Sequence, residues 1–343
     1  MANKLLGLVF AVLLTAPALA DEIALNPNHP ESYVVVKGDT LWDISGRFLR
    51  EPWLWPEIWQ VNPQIENPHL IYPGDLISLV YVDGKPQLRL QRGGHPTIKL
   101  SPTAREERLD RAIPTIPIDA IKQFLTQPLI VEEGELEAAP YVVESADEHL
   151  IAGAGDRVYV RGITDTTQGR YGVYHPGDEL LDPDTKELLG IEAIYLGDAT
   201  VERFGDPSTL SLDRTTREIG IGDRVKPVSS DEIHASFLPH PPATETKGRI
   251  ISVYDGVTQI GRYQIVTINR GAREGMEVGH VLRVHQAGQE VKDTVTPSAY
   301  DKVTLPDEDA GLLMLFRIFD KVSYGLVMEA TRPIHVLDYV TNP

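Results

Sequence analysis

Residues 33–45 read YVVVKGDTLWDIS, and the chain returns at residues 71–80 with IYPGDLISLV. Tyr33 and Val35 alternate with Val34 and Val36 across two faces of a short strand, which Lys37-Gly38-Asp39 ends with turn chemistry. Thr40 is placed to cap a helix, with Asp43 three residues on as a short form of the capping-box acid. Leu41, Ile44, Ser45 and Phe48 then recur at i, i+3, i+4 and i+7, so one stripe of that helix faces a core. A second helix is expected from Pro56, carrying Ile58 and Trp59 inward and stopping at Asn62-Pro63, where proline cannot continue the ladder. Pro73-Gly74 suits the middle of a type II turn, and Leu76, Ile77, Leu79 and Val80 form a return strand that pairs with the first.

This order of strand, Gly-Asp-Thr loop, two helices, Pro-Gly turn and strand resembles the LysM domain. That family is a βααβ module that binds N-acetylglucosamine-containing glycans such as peptidoglycan. The resemblance implies a shallow groove between the loop after the first strand and the loop before the second. Carried onto this chain, the groove has Gly38, Asp39, Thr40 and Leu41 on one side and Asn67, Leu70, Ile71 and Tyr72 on the other. Backbone amides there would read acetamido groups, while Leu41, Leu70 and Ile71 would offer apolar contact. Gly38, Asp39 and Thr40 also turn and cap the chain.

All four tryptophans lie between Trp42 and Trp59. An indole face can stack on a sugar, but a domain this small needs large apolar residues for its core. Trp42 and Trp59 are therefore expected to be core, whereas the stretch 50–55 is longer than the usual LysM connection and leaves Trp53 and Trp55 as candidates for the surface.

Residues 1–20 combine Lys4, an apolar run over 5–14 and a small-residue site at Ala18-Leu19-Ala20. They read as a secretory signal peptide cleaved after Ala20, because the run is too short to span a bilayer. The expected location is the periplasm, in association with the cell wall. Cysteine is absent, which removes a disulfide staple, a lipid-attachment cysteine and a thiol nucleophile. The formal net charge of −18 is spread along the chain, and such a chain is repelled by nucleic acid and by anionic lipid. Peptidoglycan also carries carboxylates, so glycan binding would rest on hydrogen bonds and apolar contact.

Beyond the first block, residues 85–111 hold seven Lys or Arg against three Asp or Glu. A connector is expected there, with a hairpin of 87–90 against 97–100 turning at Gly93-Gly94. Ile113-Pro114-Thr115-Ile116-Pro117 ends it. Ile118, Ile121 and Leu125 then follow at helical spacing, and the rest reads as β. Residues 216–225 and 331–340 share Thr, Arg, Ile, Asp and Val at the same offsets, each after a paired-strand pattern, which implies two related β units. Pro239, Pro241 and Pro242 mark a stiff linker between them. The run 266–284, VTINRGAREGMEVGHVLRV, has the strand, glycine-rich turn and strand of a closing barrel.

The expected organisation is a signal peptide at 1–20, a short tail at 21–31, a LysM domain at 32–83 and a connector at 84–116. A first β-rich unit follows at 117–228, a linker at 229–247 and a second β-rich unit at 248–343. The fold class is an α+β LysM domain followed by mostly-β, small barrel-like units with an internal duplication. A LysM domain behind a signal peptide, the IPTIP connector, GDRVYVRG from Gly155 and the closing GLLMLFRIFDKVSYGLVMEATRPI together resemble the type IV pilus secretin-associated family. In that family the C-terminal part is similar to a domain of a flagellar assembly protein. The resemblance implies an outer-membrane secretin ring as partner.

Neither a His-x-His pair with an upstream zinc-ligand motif nor His-Glu-x-x-His is present, and there is no Gly-x-Ser-x-Gly elbow. The ten histidines are scattered. No catalytic residue, metal site or cofactor is expected. The function expected is a peptidoglycan-binding adaptor that anchors a secretin complex. The alternatives are a cell-wall hydrolase with an unrecognised carboxylate pair, and a general wall-binding protein without a secretin partner.

Overall fold

The computed structural model describes residues 23–59, 71–92, 112–126, 129–146, 151–228, 237–254, 259–288, 290–293 and 302–343. The expected signal peptide lies outside these residues. The N-terminal module runs β1 (Ser32–Val34), α1 (Leu41–Phe48), a 3-10 turn (Pro52–Leu54) leading into α2 (Trp55–Trp59), β2 (Leu76–Val82) and β3 (Lys85–Gln91). β1 and β2 pair antiparallel with Tyr33 opposite Ile77. Thr40 caps α1 as expected: its hydroxyl oxygen accepts the Asp43 N–H at 3.1 Å, and its O–H donates to the Asp43 carboxylate at 2.7 Å.

Lys85–Gln91, expected within a connector, is instead a third strand of this sheet, with Leu90 opposite Ile77. Its turn is Asp83-Gly84, both at positive φ (+50° and +79°), the conformation of the tightest hairpin turns. The partner anticipated for it at 97–100 lies outside the described residues. Leu88 and Leu90 join Leu41, Ile44, Phe48 and Ile77 in the module's core. Trp55 and Trp59 are also buried there, their rings meeting edge to face at 6.4 Å. Trp55 is thus core and not a surface aromatic, because the 3-10 turn folds the long connection inward. Trp53 is half-buried, its indole N–H donating to Glu51 at 3.0 Å.

The remainder is two closed six-stranded barrels with one topology. The first contains β4 (Leu129–Val131), β5 (Tyr141–Ser145), β6 (Ile151–Ala152), β7 (Arg157–Arg161), β8 (Arg170–Leu181), β9 (Leu188–Arg203), β10 (Ser208–Thr215), β11 (Ile219–Gly220) and β12 (Arg224–Pro227). Its ring runs β5-β7-β10-β9-β8-β12 and back to β5, with β4 added beside β9 and β6 paired to β11. The second contains β13 (Lys247–Val253), β14 (Ile265–Ile268), β15 (Val281–Gln286), β16 (Glu290–Lys292), β17 (Lys302–Thr304), β18 (Glu308–Ile318), β19 (Ser323–Ala330) and β20 (Tyr339–Thr341). Its ring, β13-β14-β19-β18-β15-β20, repeats the first strand for strand, and β16 and β17 form a separate hairpin.

The repeated motif marks the same place in each barrel. The N–H of Thr216 donates to Leu196 and that of Thr331 to Ala310, at 2.7 and 2.9 Å. The carboxylates of Asp223 and Asp338 each accept a backbone N–H three residues back, from Gly220 and His335, both at 2.7 Å. These short turns aim the last strand of each barrel back along the first.

α3 (Ile118–Thr126) and Trp42 join the module mainly to the second barrel, with Ile130 of β4 the residue of the first barrel's sheet packed against the same cluster. Trp42 is 2% exposed, in a cluster with Ile116, Phe124, Phe237, Leu326 and Met328. It is core as expected, but of an interface: Leu41, Ile44 and Phe48 face the module's own sheet, and Trp42 stands off that stripe. Arg262 and Tyr263 meet the Asp43 carboxylate, and Arg283 bonds both Glu51 oxygens at 2.9 Å and Asp309 at 2.7 Å. The two barrels are held by the tip of the β8–β9 hairpin. Asn269 donates to Asp182 at 2.7 Å, Arg249 meets Asp184 at 3.1 Å, and Arg273 and Lys321 meet Glu187 at 2.6 and 3.1 Å.

Candidate functional site

The chain leaves β1 through Lys37-Gly38, with Gly38 at φ +99°, a left-handed turn suited to glycine. Asp39 holds this loop shut: its carboxylate accepts the Val36 N–H at 2.9 Å and the Tyr33 hydroxyl at 3.0 Å. Burial, then that hydrogen bond, raises the Tyr33 hydroxyl pKa. The facing loop, Tyr72-Pro73-Gly74-Asp75, closes with Asp75 N–H on the Tyr72 carbonyl at 3.1 Å and Gly74 at φ +94°, as a type II turn requires. The Asp75 carboxylate accepts the Tyr72 N–H at 3.0 Å and an Arg92 N–H at 2.8 Å. Val35 ties the two loops, donating to Asp75 at 2.9 Å and accepting from Gly74 at 2.8 Å.

The structure therefore brings Gly38, Asp39, Thr40 and Leu41 opposite Ile71 and Tyr72, whereas Asn67 and Leu70 lie outside the described residues. The apolar rim expected of Leu41 and Ile71 does not form, because both side chains are buried in the module's core. What they present at the two facing loops is backbone. Leu41 and Trp42 open α1, so no carbonyl within the helix can accept their N–H groups. Leu41 donates to the Pro114 carbonyl at 3.0 Å and Trp42 to the Thr115 carbonyl at 3.1 Å. On the other wall the Ile71 carbonyl accepts the Ile113 N–H at 2.8 Å. Ile113 itself is 5% exposed and packs in the module's core. Reading 112–116 as a connector missed these contacts, since backbone hydrogen bonds leave no trace in side-chain pattern. Its run of isoleucines was the available signal, for a solvated linker has no need of them.

Among the described residues, His240, Glu277 and His280 have side-chain ligand atoms within 4.8 Å of one another. Their hydrogen bonds oppose a metal centre. His280 Nδ1 accepts the Glu277 N–H at 3.1 Å, which puts the ring proton of neutral His280 on Nε2 and leaves no lone pair there for an ion. Burial, then His240, lowers the His280 pKa, which favours this neutral form. A cleft between α1 and the second barrel is lined by Asp43, Arg47, Arg50, Arg262 and Glu329. Burial, then Glu51, raises the Glu329 pKa.

Comparison with known proteins bears on the N-terminal module. The uncharacterized protein YqbP of Bacillus subtilis (strain 168) is 38% identical over 60 residues, which are 15% of this chain and 27% of that protein. The chain thus spans about a quarter of the length of this curated relative. Residues 33–79 match the LysM family model, and with the capped α1, the paired β1 and β2 and the two facing loops, this module is a LysM domain, a peptidoglycan-binding unit.

Proposed function

We propose that the chain is a periplasmic adaptor, delivered by a signal peptide, whose LysM domain holds peptidoglycan while its barrels hold an outer-membrane secretin complex of the type IV pilus. The observation that carries the reading is a wall-binding domain packed onto paired barrels through Trp42, Asp43 and Glu51, so that what the barrels hold is held to the wall. Glycan recognition falls to the groove of Gly38, Asp39, Thr40, Leu41, Asn67, Leu70, Ile71 and Tyr72, mainly through its backbone. The secretin partner rests on the family resemblance of the mature chain, and a general wall binder is the coarser alternative.

Full-length protein is expected to co-sediment with purified sacculi and to retain binding at a few hundred millimolar salt, because hydrogen bonds to a neutral glycan are not screened as ion pairs are. Loss of binding on adding salt overturns this account of recognition. Secretin recovered with the chain from solubilised outer membranes supports the adaptor role, and its absence leaves the general wall binder. In the same sacculus assay, sustained release of muropeptides abolished by Glu329→Gln would establish the hydrolase alternative, with Glu329 as the acid in the cleft it shares with Asp43.

A further inference from the structure

We propose that the glycan groove of the LysM domain is occupied in cis by residues 112–116, and that glycan and this strap compete for the same backbone groups. The inference rests on the glycan reading given above.

The strap meets both walls. Two of its carbonyls, from Pro114 and Thr115, take the N–H groups that open α1, and the Ile113 N–H gives to Ile71 across the groove. A secondary amide in an N-acetyl sugar offers groups of the same kind, one N–H donor and a carbonyl oxygen whose two lone pairs can take both N–H groups, with a small apolar group beside them. The peptide units of Ile113, Pro114 and Thr115 thus present what the sugar's acetamido group would present. Each backbone group involved is already hydrogen-bonded, so a sugar enters only by exchange. Nor is the strap loosely laid: Ile113 is buried in the module and Thr115 is 2% exposed, while Ile116, 1% exposed, packs in the cluster shared with the second barrel. It continues through Pro117 into α3, whose Ile121 and Phe124 are in that same cluster. Withdrawal of the strap therefore also strips apolar contact from the seam between the LysM domain and the barrel. Any partner that loosens this seam frees the groove, and glycan in the groove loosens the seam.

The test uses the full chain with a chitin oligosaccharide as probe. Ile113→Asp places a carboxylate where the strap is buried and should release it, raising affinity for the oligosaccharide at least about tenfold over the wild type, the factor by which a masked site reports weak binding when only a tenth of it is open. Amide hydrogen exchange on the wild type gives a second measurement that does not depend on how the variant folds. Saturating oligosaccharide should speed exchange at Ile113, while Leu41 and Trp42 stay protected because their N–H groups pass from strap to sugar. Oligosaccharide bound with Ile113 still protected, or equal affinity in the wild type and the folded variant, overturns the competition and leaves the glycan reading standing. Failure of both proteins to bind oligosaccharide or sacculi, with the variant's strap amides exchanging freely, removes the glycan reading itself and the competition with it.

Discussion

Trp42 shows how much one side chain can disclose. In a helix whose core stripe is Leu41, Ile44, Ser45 and Phe48, a tryptophan next to the stripe must find a second surface to cover it, and the helical pattern alone establishes that need. Which surface covers it is not legible, because Phe237 and Met328 are brought there by the whole fold. Replacing Trp42 with Ala should cost about 3–5 kcal/mol, the range for truncating a buried aromatic. Urea unfolding monitored separately in the LysM domain and the second barrel should change from one transition to two. Coincident transitions in the variant would mean that Trp42 serves packing alone and does not couple the two units. The groove residues teach the complementary lesson. The two turns were legible from the chemistry of Gly38 and Gly74, but the burial of Leu41 and Ile71 was not, since an apolar residue beside a loop looks the same whether it faces inward or out.

At the level of elements, the duplication was visible in a repeated Thr-Arg, Ile, Asp and Val, because at the close of each barrel the Asp carboxylate ties the turn and the Ile and Val are buried. A strand at 87–90 was legible, but its pairing with β2 through the strong hairpin dipeptide Asp83-Gly84 was not; the turn expected at Gly93-Gly94 lies outside the described residues. The barrels also share a device that sequence pattern did not single out. Gly197 in β9 and Gly311 in β18 lie at matching positions, and a Cβ on either would fall well inside van der Waals contact of the neighbouring strand, at the Arg214 or the Glu329 carbonyl. Gly311→Ala should therefore destabilise the second barrel by about 3 kcal/mol, as overpacking against backbone does, and Gly197→Ala the first barrel similarly. Thermal unfolding of each variant checks this, and a change under about 0.5 kcal/mol, the usual size of a surface effect, would contradict the close approach.

For the whole molecule, a wall-binding end followed by β units was legible from order and composition. That the parts clasp one another was not. The contacts of Asp43 with Arg262 and of Glu187 with Arg273 join residues far apart in sequence, and no periodic pattern records such pairings. Hydrogen bonds from Arg273, then from Lys321, lower the Glu187 carboxyl from 4.5 to about 2. Its ionised form is thus favoured in the folded state, and the contribution is fully present above pH 4.5 and lost as the pH falls toward about 2. Glu187→Gln should flatten the acid limb of stability across that window and leave its neutral-pH slope unchanged. The check is a set of urea midpoints at several pH values, and an acid limb as steep in the variant as in the wild type would assign the acid sensitivity to other carboxylates.

The β8–β9 hairpin tip and the α1 seam have a mechanical consequence when taken together. The LysM domain and the first barrel each pack on the second barrel, and the chain also joins them directly through 112–116 and α3, so a pull between them loads the two noncovalent joints until that covalent segment is drawn taut. Each barrel is a closed ring of hydrogen bonds, whereas each joint is side-chain packing, the Trp42 cluster at one and Leu180, Leu189 and Val322 at the other, edged by ion pairs open to solvent. Under tension the chain would therefore yield at its joints while the barrels stay folded, and would lengthen before it failed.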